Sequence, residues 1–364
     1  MRAVFRVDAS IHMGTGHVMR CLTLADVLKG LRVSTVFIIR EHIGHLSGLI
    51  QERGHDVALL PEPDPNFKPA KNDVAHAQWL GVPWQQDAKE TIMAMNGVKP
   101  DLLIVDHYGL DARWHKELRQ YVGKVFAIDD LADRPIDCDI LLDQNLVANM
   151  NNRYAEKLPL HCKTLLGPKY AMLQPTYAEW HKCVSPRTGP VQRIFIYFSG
   201  ADVDNLTGRS VSAFLSLNRP DIEVDVVISH TSPYADAILS QAKGHSNLHV
   251  HGFVPSLAPL MAKADLAIGA SGATSWERLC LGLPSLVVTL EENQRPIAEE
   301  LQRRDLIYFL GHKDTVDEAA ISQALTEIMQ QDIVADWPQR CMEIVDGKGV
   351  DRVCAALAGL HKVS

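Results

Sequence analysis

Short β-branched runs alternate with stretches of helical period along the chain. Val4–Val7 reads as a strand. His17–Leu31 then carries Val18, Cys21, Leu22, Ala25 and Leu28 on one face, at i, i+3, i+4, i+7 and i+10. A second strand over Thr35–Ile39 leads into a helix through Leu46, Leu49 and Ile50 that stops at Gly54. Further strands are predicted at Val57–Leu60, Leu102–Asp106, Val125–Ile128 and Ile140–Leu142. Their apolar runs are continuous rather than alternating, the pattern of a parallel sheet covered on both faces by crossover helices. Glu62–Pro83, rich in Pro and Asn, predicts an irregular excursion.

The rhythm breaks over His181–Gln192, a stretch rich in breakers, and then restarts. Strands are predicted at Ile194–Phe198, Val224–Ser229, Val250–Phe253, Leu266–Ile268 and Leu286–Thr289. Helices are predicted over Leu206–Leu217 and Tyr234–Lys243, with others beginning near Ser256, Thr274 and Gln294. The expected architecture is α/β: two Rossmann-like parallel-sheet domains facing a cleft. Its boundaries are an N-terminal domain over 1–181, a linker over 182–192, a C-terminal domain over 193–345 and a C-terminal helix over 346–364, for which packing back on the N-terminal domain is one option.

Composition narrows the function. The chain has 364 residues, enough for two domains at roughly 100–200 residues each. Lys and Arg number 36 against 44 Asp and Glu, a formal net charge of −8, which argues against a nucleic-acid coat or an anionic-membrane binder. No apolar run approaches the roughly 18 residues of a membrane span, and Asp8 arrives too early for a signal-peptide core. The seven cysteines are scattered without a CxxC pair, so neither a disulfide framework nor a zinc site is expected, and a reducing, cytoplasmic setting fits. No heptad pattern is present, and a monomer is expected.

In open parallel sheets, ligands bind beyond the carboxyl ends of strands, and unusual residues gather at several of these ends. Asp8-Ala-Ser-Ile-His-Met-Gly-Thr-Gly-His17 joins the first strand to the first helix. Gly14 and Gly16 permit close backbone approach, and free amides at the helix start suit a phosphate or carboxylate. The third glycine of a dinucleotide fingerprint is missing, as is GxxxxGK[ST]. His17 can act as acid or base near neutral pH, or can simply satisfy a buried carbonyl. Asp106-His107-Tyr108-Gly109 closes another strand and reads equally as a turn or as a group that orients a base or binds sugar hydroxyls.

Gly269–Glu277 offers Ser271, Gly272, Ala273 and Thr274 to diphosphate oxygens and Glu277 to a ribose diol. The plain alternative is an N-cap at Ser271 or Thr274 with Glu277 closing a capping box. Asn293 and Gln294 follow the strand Leu286–Thr289, and Gly200 lies in the shorter loop Ser199–Asp202. His42/His45 and His249/His251 lack a nearby acidic third ligand and read as surface or structural. Asp129-Asp130 could hold Mg²⁺ but is more simply a solvated turn. HExxH and GxSxG are absent.

The signature Arg6-x-Asp8-x-Ser10-x-x-x-Gly14-x-Gly16-His17-Val-Met-Arg20-Cys-Leu-Thr-Leu-Ala25 resembles that of the UDP-2,4-diacetamido-2,4,6-trideoxy-β-L-altropyranose hydrolases of pseudaminic acid biosynthesis. Asp106–Gly109, Leu165–Ala171 and Ser271–Glu277 match in the same order. Met13 in place of Ile, and Ser199 in place of one Gly of a Gly-Gly pair, are departures. The resemblance implies a glycosyltransferase-B architecture and metal-independent release of UDP with inversion at the anomeric carbon. It implies His17 as the base that activates water, Tyr108 and Asn293 at the sugar, and UDP in the C-terminal domain. The implied substrate-binding set is Asp8, Gly14, Gly16, His107, Gly200, Ser271, Gly272, Ala273, Thr274, Glu277 and Gln294, with a nucleotide sugar as the small-molecule partner and neither cofactor nor metal. A transferase on the same fold is the main rival; a nucleotide-sugar sensor and a 2-epimerase are weaker ones.

Overall fold

The computed structural model describes residues 1–360. Two compact units emerge. The first comprises Met1–Asn145, Asn149–Leu173 and the stretch from Lys348; the second comprises Leu146–Ala148 and Gln174–Gly347.

The first unit is built on β1 (Arg2–Val7), β2 (Ser34–Arg40), β3 (Asp56–Leu60), β4 (Leu102–Asp106), β5 (Lys124–Ile128), β6 (Ile140–Asp143) and β7 (Lys163–Leu166). They form one parallel sheet in the order β3-β2-β1-β4-β5-β6-β7. Helices α1 (Gly16–Gly30), α2 (Ser47–Glu52), α3 (Trp84–Ala94) and α4 (Ala112–Leu118) connect the strands. The continuous apolar runs supply both sheet faces. Phe5, Val7, Leu22, Phe37 and Ile104 are buried on one, and Val4, Ile38, Leu103 and Trp114 on the other. Phe5 and Phe37 pair across β1 and β2 with rings stacked at 4.6 Å.

The second unit repeats the plan. Helix α5 (Pro175–Cys183) precedes β8 (Arg193–Tyr197), α6 (Leu206–Ser216), β9 (Glu223–Val227), α7 (Ala235–Ala242), β10 (Leu248–His251), α8 (Ala258–Lys263) and β11 (Leu266–Ala270). Then come α9 (Ala273–Cys280), β12 (Ser285–Thr289), α10 (Arg295–Arg303), β13 (Tyr308–His312), α11 (Glu318–Met329) and α12 (Asp336–Ile344). The parallel sheet runs β10-β9-β8-β11-β12-β13. Helix α13 (Gly349–Leu360) belongs to the first core, where Val350, Val353 and Leu357 are buried.

Three details differ from the sequence pattern. The main division falls at Leu173/Gln174 rather than at 181. Helix α5 packs within the second unit, where His181 Nδ1 donates to the Cys280 carbonyl at 2.6 Å. Arg187, in the expected linker 182–192, is buried, and its guanidinium reaches the carbonyls of Met261 (2.7 Å), Gly282 (2.9 Å), Ala264 and Leu281. A rigid five-donor fork ties down the chain that its breakers would leave loose. Secondly, the edge strands β7 and β13 were not among the predicted strands; β7 is exposed at its first two positions, and β13 is half-buried at every position. Thirdly, β10 spans Leu248–His251 rather than Val250–Phe253, and Phe253 is 80% exposed.

His249 and His251 lie on that strand, each with an acidic partner of its own, in the structural role expected of them. His249 Nε2 is 2.5 Å from Glu223 Oε2, and His251 Nε2 is 2.7 Å from Asp225 Oδ1, both on neighbouring β9. These are cross-strand pairs of the kind that fix sheet register.

Candidate active site

Both sheets reverse strand order once: between β1 and β4 in the first unit, and between β8 and β11 in the second. Connections leave such neighbouring strands in opposite directions, which opens a crevice at their carboxyl ends.

In the first unit, β1 runs into the loop that carries Gly14 and Gly16. Ser10 organises the loop: its Oγ accepts from the amides of His12 (3.2 Å) and Met13 (2.9 Å), and its carbonyl accepts from Gly14 N (2.9 Å). Gly14 has φ +72°, which suits glycine. Thr15 precedes α1 without a side-chain cap, so its side chain takes none of the first-turn amides.

His17, in the first turn of α1, meets Tyr108 edge-on with ring centroids 4.5 Å apart. Its Nδ1 lies 3.7 Å from Asp106 Oδ1, beyond hydrogen-bond reach. Arg20, one turn further along α1, grips Asp106 at two points (Nε to Oδ2 2.6 Å, Nη2 to Oδ1 2.7 Å) and reaches Asp130 Oδ2 at 2.5 Å. Tyr108 donates its hydroxyl to the same Asp130 oxygen at 2.7 Å, and Asn145 Nδ2 donates to Asp130 Oδ1 at 2.9 Å. Burial pushes the His17 imidazole down to about 4. The charge of Asp106 opposes the shift, and Arg20 reinforces it. The side chain remains 15% exposed. The result is a neutral imidazole at physiological pH with part of its ring open to solvent, as a base requires.

Asp8 and His107 occupy a different layer from the one expected. Both are buried. Asp8 Oδ1 accepts from Arg6 Nη1 and from the Arg40 amide, each at 2.7 Å, while Oδ2 faces His107 Nε2 at 3.2 Å. His107 Nδ1 accepts from Gly109 N at 3.0 Å, which assigns the ring proton to Nε2, towards Asp8. Arg6 and Arg40 share Asp87, which also accepts from Trp114 Nε1 at 3.0 Å. Asp8 and His107 thus buttress the strand ends from beneath.

In the second unit, Gly272 begins α9 at φ +155°, and Ser275 Oγ accepts from Gly272 N at 3.3 Å. Ser275 therefore holds the position that Glu277 would need in a capping box, so the capping alternative for Glu277 is excluded. Instead, Glu277 sits beside the Tyr177 phenol with Oε2 buried and unpartnered, and burial raises its carboxyl to about 7. Ser271 Oγ is likewise buried without a partner, and Ala273 is exposed. Thr274 Oγ1 accepts from Arg278 Nη1 at 3.2 Å, and Arg278 Nη2 donates to the Ala270 carbonyl at 2.8 Å. Gln294 comes close to Gly272: a Cβ there would stand 3.8 Å from Gln294 Nε2, whose side-chain oxygen accepts from Leu290 N at 2.9 Å. Asn293 is exposed on the same short turn, Glu292–Gln294. Gly200 is exposed, and its carbonyl accepts from Ser229 N.

The sequence reading missed Arg20 as a clamp, Asp130 as its second anchor and Arg278 beneath the α9 turn. Asp130, considered for Mg²⁺, is instead engaged by Arg20, Tyr108 and Asn145. Asp129 accepts from the amides of Leu131 and Ala132 and pairs with Arg134 at 2.9 Å. The available signal was spacing: Arg20 follows His17 at i+3, on the same face of α1.

These two sheets define a glycosyltransferase-B fold. The crystal structure of MurG from Acinetobacter baumannii superposes with a TM-score of 0.67, covering 98% of this chain and 99% of that one at 14% identity. Residues 209–336 match the glycosyltransferase family 28 C-terminal domain. At the level of individual proteins, the chain is similar to the UDP-2,4-diacetamido-2,4,6-trideoxy-β-L-altropyranose hydrolase of Campylobacter jejuni. The two are 24% identical over 306 residues, 84% of this chain and 97% of that protein. The resemblance expected from the His17 signature is therefore borne out as sequence similarity. An uncharacterised protein of Methanocaldococcus jannaschii is 26% identical over 315 residues, 84% of this chain; the match spans 59% of that relative's length.

Proposed function

We propose that this protein is a hydrolase releasing UDP from a UDP-linked 2,4-diacetamido-2,4,6-trideoxy sugar, with β-L-altrose as the reference configuration. The observation that carries the reading is His17: a neutral, partly open imidazole at the sheet's reversal point, seated among Asp106, Tyr108 and Arg20. The near full-length similarity to the Campylobacter jejuni hydrolase supports the choice of substrate.

In this reading, His17 takes a proton from water as the water oxygen bonds to the anomeric carbon. The bond from that carbon to the diphosphate oxygen breaks, and UDP leaves with the electron pair. A single displacement inverts the anomeric centre. Asp106, 3.7 Å from His17 Nδ1, favours the imidazolium as it forms. The amides at the start of α9, with Ser271 and Thr274, serve the diphosphate, and Glu277 serves the ribose. Gly14 and Gly16, Gly200, Asn293 and Gln294 complete the binding set in this reading. Tyr108 and Asn293 act at the sugar.

A transferase is the second reading, favoured by the match to the family 28 domain. One reaction separates the two. The protein is incubated with the UDP-sugar in ¹⁸O-water with EDTA and no acceptor. UDP release with label in the sugar is expected. Label in UDP would move the attack to phosphorus and overturn His17's role. No release would favour the transferase.

A further inference from the structure

The excursion between β3 and α3 contains one short 3-10 turn, Ala77–Leu80. It is fastened firmly to the first unit. Leu80 is buried, Gly81 has φ +69°, and the Gly81 carbonyl accepts from Asp64 N at 2.9 Å. Ala77 and Leu80 are buried, and Trp79 beside them is half-buried. Its ring stacks on Tyr108 (5.5 Å between centroids, 27° between planes) and lies 6.1 Å from His17. His76 stands edge-on to both Trp79 (5.0 Å) and Tyr108 (5.5 Å). Two rings, Trp79 and Tyr108, thus flank the proposed base, and His76 packs behind both. Trp79 and His76 are only half-buried, so each keeps surface open to a ligand.

We infer that Trp79, backed by His76, is the wall of the sugar subsite beside His17 and selects a deoxy, acetamido-bearing sugar through its C–H face and methyl groups. The inference rests on the hydrolase reading and deepens it. Aromatic faces offer apolar area and a negative quadrupole surface; they fit C–H and methyl groups and reward hydroxyls less. A fastened wall also keeps bulk water from the imidazole while leaving one side free for the attacking molecule. The segment's Pro- and Asn-rich composition conceals this, because the aromatic contact is made by a single residue brought in from outside the periodic elements.

The test compares wild type, Trp79→Ala, Trp79→Phe and His17→Ala on UDP-2,4-diacetamido-2,4,6-trideoxy-β-L-altrose, with circular dichroism to verify folding. Trp79→Ala is expected to raise KM about tenfold, the loss of one well-packed aromatic contact, with kcat falling far less than in His17→Ala. Trp79→Phe, which keeps a ring, is expected to recover most of the KM. UDP-N-acetylglucosamine, bearing hydroxyls at C4 and C6, is tested as a competitive inhibitor, and its Ki is expected to change less than the KM. A folded Trp79→Ala protein with KM within twofold of wild type overturns the wall while leaving the hydrolase standing. Absence of UDP release by the wild type overturns the hydrolase and the wall together.

Discussion

Arg20 and Asp106 form a buried two-point ion pair at the carboxyl end of β4, and the pair stands between His17 and a simple Asp–His couple. Each oxygen of Asp106 accepts from the guanidinium (2.6 and 2.7 Å), and the carboxylate stays 3.7 Å from the imidazole. The same Arg20 holds Asp130, which accepts from Tyr108. One side chain therefore positions the two residues that flank His17.

Replacing Arg20 by Met should leave two carboxylates beneath His17 without their cation. Breaking a buried pair from one side costs about 3–5 kcal/mol, more than the pair itself contributes, because a desolvated charge is stranded. Arg20→Met is expected to lower the urea midpoint accordingly, and adding Asp106→Asn should recover part of the loss. Lys at this position, a point charge that cannot span Asp106 and Asp130 together, should fall between. Equal midpoints for the wild type and Arg20→Met would refute the clamp.

The His17 imidazole makes a pH prediction with a definite sign. Unfolded, it titrates near 6.5; folded, burial holds it at about 4. Between those values the unfolded chain binds more protons, so stability falls as pH drops from 6.5 to 4, by up to about 3 kcal/mol. His17→Gln removes this contribution. Urea titrations of the two proteins should therefore converge or cross as the solution is acidified through that window. If His17 is the base, the acid limb of kcat/KM should also lie near pH 4 rather than 6.5. A wild-type limb at 6.5 would mean that the imidazole is not held in the desolvated state described here.

Much of this architecture was legible because continuous apolar runs and helical periods are local properties. Val4–Val7, Leu102–Asp106 and Leu266–Ile268 announce central parallel strands, and GxGH marks the turn where the first sheet reverses. Edge strand β7 was not legible, since its apolar run is only Leu165-Leu166, whereas the run Leu306–Leu310 does mark β13, which the predicted strands omit. Nor was the placement of α5 in the second unit, which depends on contacts such as His181 with Cys280. The site was legible in its nucleus, His17 and Asp106–Tyr108, and illegible in its partners. Arg20 and Asp106 are 86 residues apart, and no single sequence reveals such a pairing. Asp8 and His107, expected at the substrate, lie buried at the strand ends, held by Arg6, the Arg40 amide and Gly109 N, contacts that no single sequence reveals.

Glu277 carries a stability signature opposite in sign to that of His17. Burial raises its carboxyl from 4.5 to about 7, so the folded protein binds more protons between those values. Stability is fully present below pH 4.5 and declines, by up to about 3 kcal/mol, as pH rises through 7. Glu277→Gln should accordingly raise the melting temperature at pH 8 and have little effect at pH 4. If the buried, unpartnered Oε2 serves a ribose hydroxyl, the same variant should bind UDP more weakly by calorimetry. A variant that is both more stable and weaker in binding would mark a carboxylate kept for function. Unchanged UDP affinity would remove Glu277 from the nucleotide site.

Gly81 and Gly97 allow the fastening of the aromatic wall to be isolated. Both have positive φ, +69° and +72°, so replacement by Ala imposes a similar backbone strain of about 1 kcal/mol. Their surroundings differ. A Cβ on Gly81 would stand 2.2 Å from Pro63 Cβ and 3.1 Å from its Cα, whereas no described atom lies within 4 Å of a Cβ on Gly97. Gly97→Ala should therefore lose only the strain, and Gly81→Ala about 2–4 kcal/mol, the excess reporting the clash between the ends of the excursion. Because Gly81 follows Trp79 by two residues, its substitution should also shift the ring from Tyr108 and raise KM for the UDP-sugar. Gly97→Ala, matched in strain but distant in sequence from the wall, should leave KM at the wild-type value. Equal destabilisation by the two substitutions, with KM unmoved in both, would show that the excursion is not held at Gly81 and that Trp79 keeps its place by other contacts.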